Sequence, residues 1–111
     1  MNNTIVEYKI KNNNSSLGVE ILDFEYDHIF DDARVSDLRN LWLNYSIIIF
    51  KDLKLSHQQL ENFSLAFGNF GNDPYIDSID GHENIIEVRR EADEKAPPFG
   101  ASWHSDWSFQ E

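Results

Sequence analysis

Three stretches of the chain have the pattern of apolar and polar residues that β-strands show. TIVEYKI, residues 4–10, alternates roughly and is rich in β-branched and aromatic residues, so it predicts a strand. LGVEILDF, residues 17–24, predicts a second strand with Val19 and Ile21 on one face. SIIIF, residues 46–50, is short and continuously apolar, which predicts a fully buried strand.

Two longer segments follow the helical period. In residues 31–45 apolar residues recur at i, i+3, i+4 and i+7, which predicts a helix that an aspartate at its start can cap. Residues 55–71 predict a second helix, because Ser56 and Gln59 form an S-x-x-Q capping box and Gly68 can end it. The apolar faces expected to pack in the core consist of Leu38, Leu41, Trp42 and Tyr45 in the first helix and Leu60, Phe63 and Phe67 in the second.

The last third of the chain is predicted to contain strands joined by loops. Residues 72–84 are loop-like, residues 85–90 (IIEVRR) predict a strand, residues 91–102 form a polar loop, and residues 103–109 (WHSDWSF) alternate like a strand. Strands interrupted by helices, rather than alternating regularly with them, predict an α+β fold. No linker or repeat divides the chain, so we expect one domain over residues 1–111 without an internal boundary.

Charge and composition exclude several classes of function. The chain has 20 acidic and nine basic residues, a formal net charge of -11, which disfavours binding to nucleic acid or to an anionic membrane surface. The absence of cysteine excludes disulfides, thiolate zinc sites and cysteine nucleophiles. The N-terminus lacks a signal-peptide pattern and no apolar run is long enough to span a membrane, so a cytoplasmic protein is expected.

The candidate chemistry lies at the end of the sequence. If residues 103–109 form a strand, His104 and Asp106 project from the same face. Together they would supply two of the three ligands of the two-histidine, one-carboxylate site that holds non-haem Fe(II). The spacing alone is weak support, because a chain with four histidines and 20 acidic residues contains such a pair by chance roughly half the time.

The residues around His104 and Asp106 make the assignment of this pair more specific. WHSDWSF closely resembles the W-H-[ST]-D-x-[ST]-F signature of the taurine dioxygenase family of Fe(II)- and 2-oxoglutarate-dependent oxygenases. Further pieces of that family's N-terminal pattern follow in order: Gly18 in a strand, Phe50-Lys51-Asp52 after an apolar strand, Leu55 to Gln59 at a helix start, and Phe67-Gly68 at its end. The resemblance runs from about Leu17 to Phe109, nearly the whole chain.

The resemblance implies a fold, a reaction and a site. The fold would be the N-terminal half of a double-stranded β-helix, a cupin-like jelly roll with helices packed outside it. The activity would be hydroxylation of a small, acidic organic substrate, with Fe(II), O₂ and 2-oxoglutarate, which is decarboxylated to succinate. His104 and Asp106 would bind the metal, and Trp107 and Phe109 are candidates for the substrate pocket, although packing in the barrel explains both aromatics equally well.

The family pattern also contains a second metal-binding histidine and a 2-oxoglutarate-binding arginine, both much later in the chain than the first pair. Both would lie beyond Glu111, so we expect the chain to be the N-terminal part of such a domain and to be inactive by itself. The full-length protein is also a candidate homo-oligomer. For His28, His57 and His82 we expect ordinary surface roles, not metal binding.

The sequence departs from the taurine enzymes at two positions. Those enzymes carry a histidine soon after the second helix, and the segment GNDPYID, residues 71–77, has none. They also carry an asparagine near the substrate four residues before the first metal-binding histidine, where this chain has Gly100. Taurine is therefore not the expected substrate.

Other functions remain open or are disfavoured. A non-catalytic binding or oligomerisation module, or a half-domain completed by another chain, would use the same scaffold. An EF-hand calcium loop is weakly suggested by Asp80, Gly81 and Glu87, but Ile76 occupies the first position, where an acidic residue is needed. Neither the G-x-S-x-G elbow of a serine hydrolase nor a phosphate-binding glycine loop occurs.

Overall fold

The computed structural model describes residues 6–71 and 76–106 and divides into two compact units between Asn69 and Phe70. Its elements, in chain order, are β1 (Ile10–Lys11), β2 (Val19–Ile21), a 3-10 helix (Tyr26–Phe30), α1 (Asp32–Tyr45), β3 (Ile48–Phe50), α2 (His57–Leu65), β4 (Ser78–Ile79) and β5 (His82–Ile86). The α+β class is thus confirmed. No helix in these two ranges combines the length and the apolar character needed to cross a membrane.

The first unit contains a three-stranded sheet in the order β1-β2-β3. β1 runs antiparallel to β2, and β2 runs parallel to β3, with Ile21 opposite Phe50. Val19 and Ile21 are buried on one face of the central strand, as predicted. The prediction that SIIIF is fully buried is wrong, because Ile49 points to the face opposite to Ile48 and Phe50 and is 50% exposed.

Helix α1 begins and ends where the local chemistry favours it. The Asp31 carboxylate accepts hydrogen bonds from the backbone N–H groups of Ala33 and Arg34, which caps the first turn. The helix ends at Ser46, which adopts a left-handed conformation at φ 68° and donates its N–H to the Trp42 carbonyl at 2.7 Å. Of the predicted apolar stripe, Leu38 is fully buried, whereas Trp42 lies partly in solvent.

Helix α2 has the predicted capping box. The Gln59 N–H donates to Ser56 Oγ at 3.1 Å, and the Ser56 N–H donates to Gln59 Oε1 at 2.9 Å. The helix ends at Leu65, before the predicted stop at Gly68. The predicted burial of Leu60 is wrong, because its side chain is 42% exposed, although it shares a helix face with the packed Phe63.

The core of the first unit consists of Leu38, Ile21 and Tyr8, with partly buried apolar side chains packed around them. Those side chains are Phe24, Leu41, Ile48, Phe50 and Phe67. An aromatic cluster joins the sheet to α2, since Phe63 makes edge-to-face contacts with Phe24 and Phe50 at ring separations of 5.8 and 5.3 Å.

His28 does not have the predicted surface role. Its ring packs against Tyr8 and Phe24, with both ring centroids 5.6 Å away. The Nδ1 atom lies 3.3 Å from the backbone nitrogen of Glu25, whose N–H can only donate, so Nδ1 is an acceptor. The Tyr8 hydroxyl therefore donates to Nδ1, at 2.9 Å. The sequence could not reveal this role, because Tyr8 and His28 are 20 positions apart.

The Tyr8 phenol predicts how stability depends on alkaline pH. Burial raises the pKa of Tyr8 from its ordinary value of 10.0 to about 12. Since the unfolded chain releases this proton first, the contribution of Tyr8 to stability is complete below pH 10 and is lost as the pH rises through 12. We expect the wild type to lose stability across this window in urea denaturation, and Tyr8→Phe to lose less.

At neutral pH the same substitution should cost about 0.5–1.5 kcal/mol, because it removes the hydrogen bond to His28. Tyr45→Phe, which removes a hydroxyl that accepts a bond from the exposed Asn12 amide, is the matched control and should keep the alkaline loss. Equal alkaline losses in the wild type and Tyr8→Phe would contradict the assignment.

The second unit contains a β-hairpin where the sequence predicted a loop. Strands β4 and β5 pair antiparallel and are joined by Asp80 and Gly81, and Gly81 has the positive φ, 78°, that the turn requires. His82 therefore lies in a strand, not in a loop. A hairpin also replaces the helix-flanked loop that the EF-hand alternative needs.

Beyond the hairpin, the predictions are confirmed for the loop and wrong for the strands beside it. The predicted strand 85–90 ends at Ile86, and residues 91–102 contain turns but no helix or strand, as expected. Residues 103–106 do not form the predicted strand, and residues 107–109 lie outside the described part of the chain. The prolines and the glycine before them favour turns over pairing in a sheet.

Candidate metal centre

The candidate centre begins with a tight turn at residues 98–101. The Ala101 N–H donates to the Pro98 carbonyl at 3.1 Å, which closes a β-turn with Gly100 at its third position. Gly100 has φ 73°, the left-handed value that a type II turn requires there and that glycine adopts without strain. The turn places His104 beside the backbone of Gly100.

The His104 ring is oriented by a backbone group. Its Nδ1 atom lies 2.7 Å from the Ser102 carbonyl oxygen. Because a carbonyl can only accept, Nδ1 carries the proton of this hydrogen bond. In the neutral ring the lone pair is then on Nε2, which is the form in which histidine binds a metal through Nε2.

The structure brings His104 and Asp106 together without the predicted strand. The distance from His104 Nε2 to Asp106 Oδ1 is 3.7 Å, and both side chains are exposed. Two donor atoms that bind one ion at about 2.1 Å each can be at most about 4.2 Å apart. A neutral imidazole nitrogen and a carboxylate oxygen at this separation fit two ligand positions of a non-haem Fe(II) site.

An open cavity of about 530 Å³ adjoins the pair. Its lining comprises Ile86, Phe99, Gly100, Ser102, His104, Ser105 and Asp106, all within the second unit. Apolar groups from Ile86 and Phe99 and small residues from the turn thus surround the two candidate ligands. The cavity has the mixed character of a small-molecule site, an apolar wall with a few polar groups.

A different cluster could hold a metal by distance alone. Donor atoms of Glu25, Asp27 and His28 lie within 4.8 Å of one another, the one such set of three among residues 6–71 and 76–106. The Nδ1 lone pair of His28 is already used by two hydrogen bonds, and both carboxylates are exposed. This arrangement is explained by the capping of the 3-10 helix, which Glu25 and His28 form together.

Sequence reasoning predicted His104 and Asp106 as ligands and singled out Gly100 near the substrate, but it did not predict the other residues at this centre. The prediction of Trp107 and Phe109 as pocket residues concerns positions outside the described part of the chain. Ile86 and Phe99 line the cavity but were not predicted to do so. The Pro98-Phe99-Gly100 sequence could have signalled the turn, whereas the Ser102 carbonyl is a backbone group that no sequence pattern marks.

The family assignment follows from comparison with known proteins. The model of the family described as "Taurine catabolism dioxygenase TauD, TfdA family" matches residues 8–111. This match covers almost the whole chain, and the chain belongs to that family.

Two solved structures are similar to the chain in fold. One is a putative alpha-ketoglutarate-dependent taurine dioxygenase from Burkholderia xenovorans, with 22% identity and a TM-score of 0.59 over 69% of this chain. The other is a taurine dioxygenase from the same organism, with 24% identity and a TM-score of 0.59 over 68% of this chain. The chain spans 28% of the length of each of these structures.

Proposed function

We propose that the chain is part of an Fe(II)- and 2-oxoglutarate-dependent dioxygenase that hydroxylates a small organic acid and converts 2-oxoglutarate to succinate. The observation that carries this proposal is the 3.7 Å approach of His104 Nε2 to Asp106 Oδ1 in a chain of the TauD, TfdA family. The pair is chemically suited to Fe(II), since one donor is a neutral nitrogen and the other a carboxylate.

Each residue of the pair would have a distinct task. His104 offers the Nε2 lone pair, while the Ser102 carbonyl holds the proton on Nδ1. Asp106 supplies a negative charge that compensates the cation. When bound, Fe(II) supplies the position at which O₂ and 2-oxoglutarate react. The apolar wall of Ile86 and Phe99 would limit the access of water to one side of the pair.

We further propose that the complete protein folds as a double-stranded β-helix and that Trp107 and Phe109 border its substrate. The apolar side of β3 supports the first part. A groove of about 550 Å³ lies there, lined mainly by Trp42, Ile47, Ile48, Phe50, Phe63 and Phe67, and an open face of this kind fits a place where further structure packs. The position of Trp107, directly after Asp106, supports the second part.

The substrate we propose is a small organic acid other than taurine. This follows from Gly100, which carries no side chain that could contact a substrate, and from the absence of histidine in residues 71–77. The apolar cavity wall beside the pair is suited to the carbon skeleton of such an acid rather than to its charged end.

The proposal is tested by turnover of the full-length protein. Incubated with Fe(II), ascorbate and O₂, the purified protein should convert 2-oxoglutarate to succinate. A member of a panel of small organic acids should increase the rate of succinate formation by at least about tenfold over the reaction without such an acid. Taurine should not be the best substrate in the panel. Reactions without Fe(II) or without 2-oxoglutarate are the controls.

Failure to form succinate under any of these conditions would favour the alternative, a non-catalytic or complementing half-domain. Size-exclusion chromatography with light scattering would then show whether a second copy or a different chain completes it. Appearance of activity only after a second polypeptide is added would identify the complementing form.

A further inference from the structure

The orientation of His104 is set by the residues directly before it. The 2.7 Å hydrogen bond to the Ser102 carbonyl commits Nδ1 to the protonated state, and the 3.7 Å approach of Asp106 is to the other nitrogen, Nε2. A neutral histidine side chain in water favours the opposite tautomer, with the proton on Nε2. The arrangement therefore selects a ring form that the free side chain does not prefer.

The turn at residues 98–101 lies beside this ring. A Cβ atom added at Gly100 would lie 3.4 Å from His104 Cε1, the carbon between the two ring nitrogens. The glycine backbone thus lies directly beside the imidazole, and its φ of 73° keeps the turn closed. The carbonyl that orients the ring follows two residues later in the same segment.

We propose that the Pro98–Ala101 turn and the Ser102 carbonyl form a preformed seat for His104, which holds its Nδ1–H tautomer and presents Nε2 before any metal binds. Gly100 and Ser102 are then positioning residues, which act on metal binding through His104. The role of this arrangement in metal binding rests on the proposed function, but the arrangement itself is a property of the metal-free protein.

Variants at Gly100 separate the turn from the ring contact. Asparagine is the residue besides glycine that tolerates positive φ well, so Gly100→Asn should keep the turn. Gly100→Ala should strain it, and the branched side chain of Gly100→Val should open it. Gly81→Ala is the matched control, because Gly81 also has positive φ, 78°, in the second unit but no atom within 4 Å of an added Cβ.

The measurement is the tautomer of His104 in the metal-free, full-length protein, read from long-range ¹H–¹⁵N correlations of the imidazole at a pH where the ring is neutral. The Nδ1–H form should predominate in the wild type, in Gly100→Asn and in Gly81→Ala. Gly100→Ala and Gly100→Val should shift the ratio toward Nε2–H. Their affinity for Ni(II), the probe for the metal, should fall by about 10- to 100-fold, as loss of an outer-sphere partner does.

Two results would contradict this proposal: a predominant Nε2–H form in the wild type, or an unchanged tautomer ratio in Gly100→Val. The wild-type spectrum decides the question even if a glycine variant fails to fold. Failure of the proposed function would look different. His104 would still show the Nδ1–H form, but wild-type protein would bind Ni(II) no more tightly than His104→Ala.

Discussion

Leu38→Ala should reduce the free energy of unfolding more than truncation of any other residue of α1. Leu38 is fully buried and packs with Tyr8 and Ile21 in the core of the first unit. Removing its side chain loses buried apolar surface and leaves a cavity that the surrounding residues fill only in part. Such substitutions cost about 2–5 kcal/mol, and we expect a value in the upper half of this range.

Leu43→Ala is the matched control for this loss, because Leu43 lies in the same helix and is 82% exposed. It should change stability by no more than about 0.5 kcal/mol. Both variants are to be compared with wild-type full-length protein by urea denaturation, with the slope of the transition checked for each. Similar losses for the two leucines would show that α1 is not packed on the sheet as described.

Local sequence signals were sufficient to locate the helices of the first unit. The capping aspartate before α1 and the Ser56–Gln59 box satisfy backbone groups within a few residues of themselves, so the sequence alone identifies them. The depth of burial was predicted less well. A run such as SIIIF is apolar whether one or both faces of the strand are covered, and Ile49 is exposed because it lies on the face opposite to Ile48 and Phe50.

The candidate centre was predicted through sequence context rather than geometry. The interpretation of residues 103–106 as a strand placed His104 and Asp106 on one side, and the two residues are indeed close, but through a turn and a backbone hydrogen bond. The hairpin of β4 and β5, which contributes Ile86 to the cavity, was missed although Asp80-Gly81 is a typical hairpin turn and residues 85 and 86 were predicted to lie in a strand. The approach of Ile86 to residues 99–106 around the cavity joins separated segments and has no such local signal.

His104→Ala and Asp106→Ala should each abolish metal-dependent turnover, the largest functional effect that we expect. His104→Ala removes the nitrogen donor, and Asp106→Ala removes the carboxylate 3.7 Å from it. Loss of an outer-sphere partner already lowers metal affinity about 10- to 100-fold, so loss of a direct ligand should exceed that. The measurements are the Ni(II) dissociation constant by calorimetry and the rate of succinate formation in full-length protein.

The exposure of both side chains makes this experiment discriminating. Because neither packs in a core, the two variants should retain the wild-type melting temperature in the absence of metal, so a loss of binding cannot be attributed to unfolding. His57→Gln and Asp93→Asn, exposed residues of the same two types, should keep both metal affinity and turnover. Wild-type affinity in both ligand variants would place the metal at other residues, while lost affinity with retained turnover would separate metal binding at this pair from the chemistry.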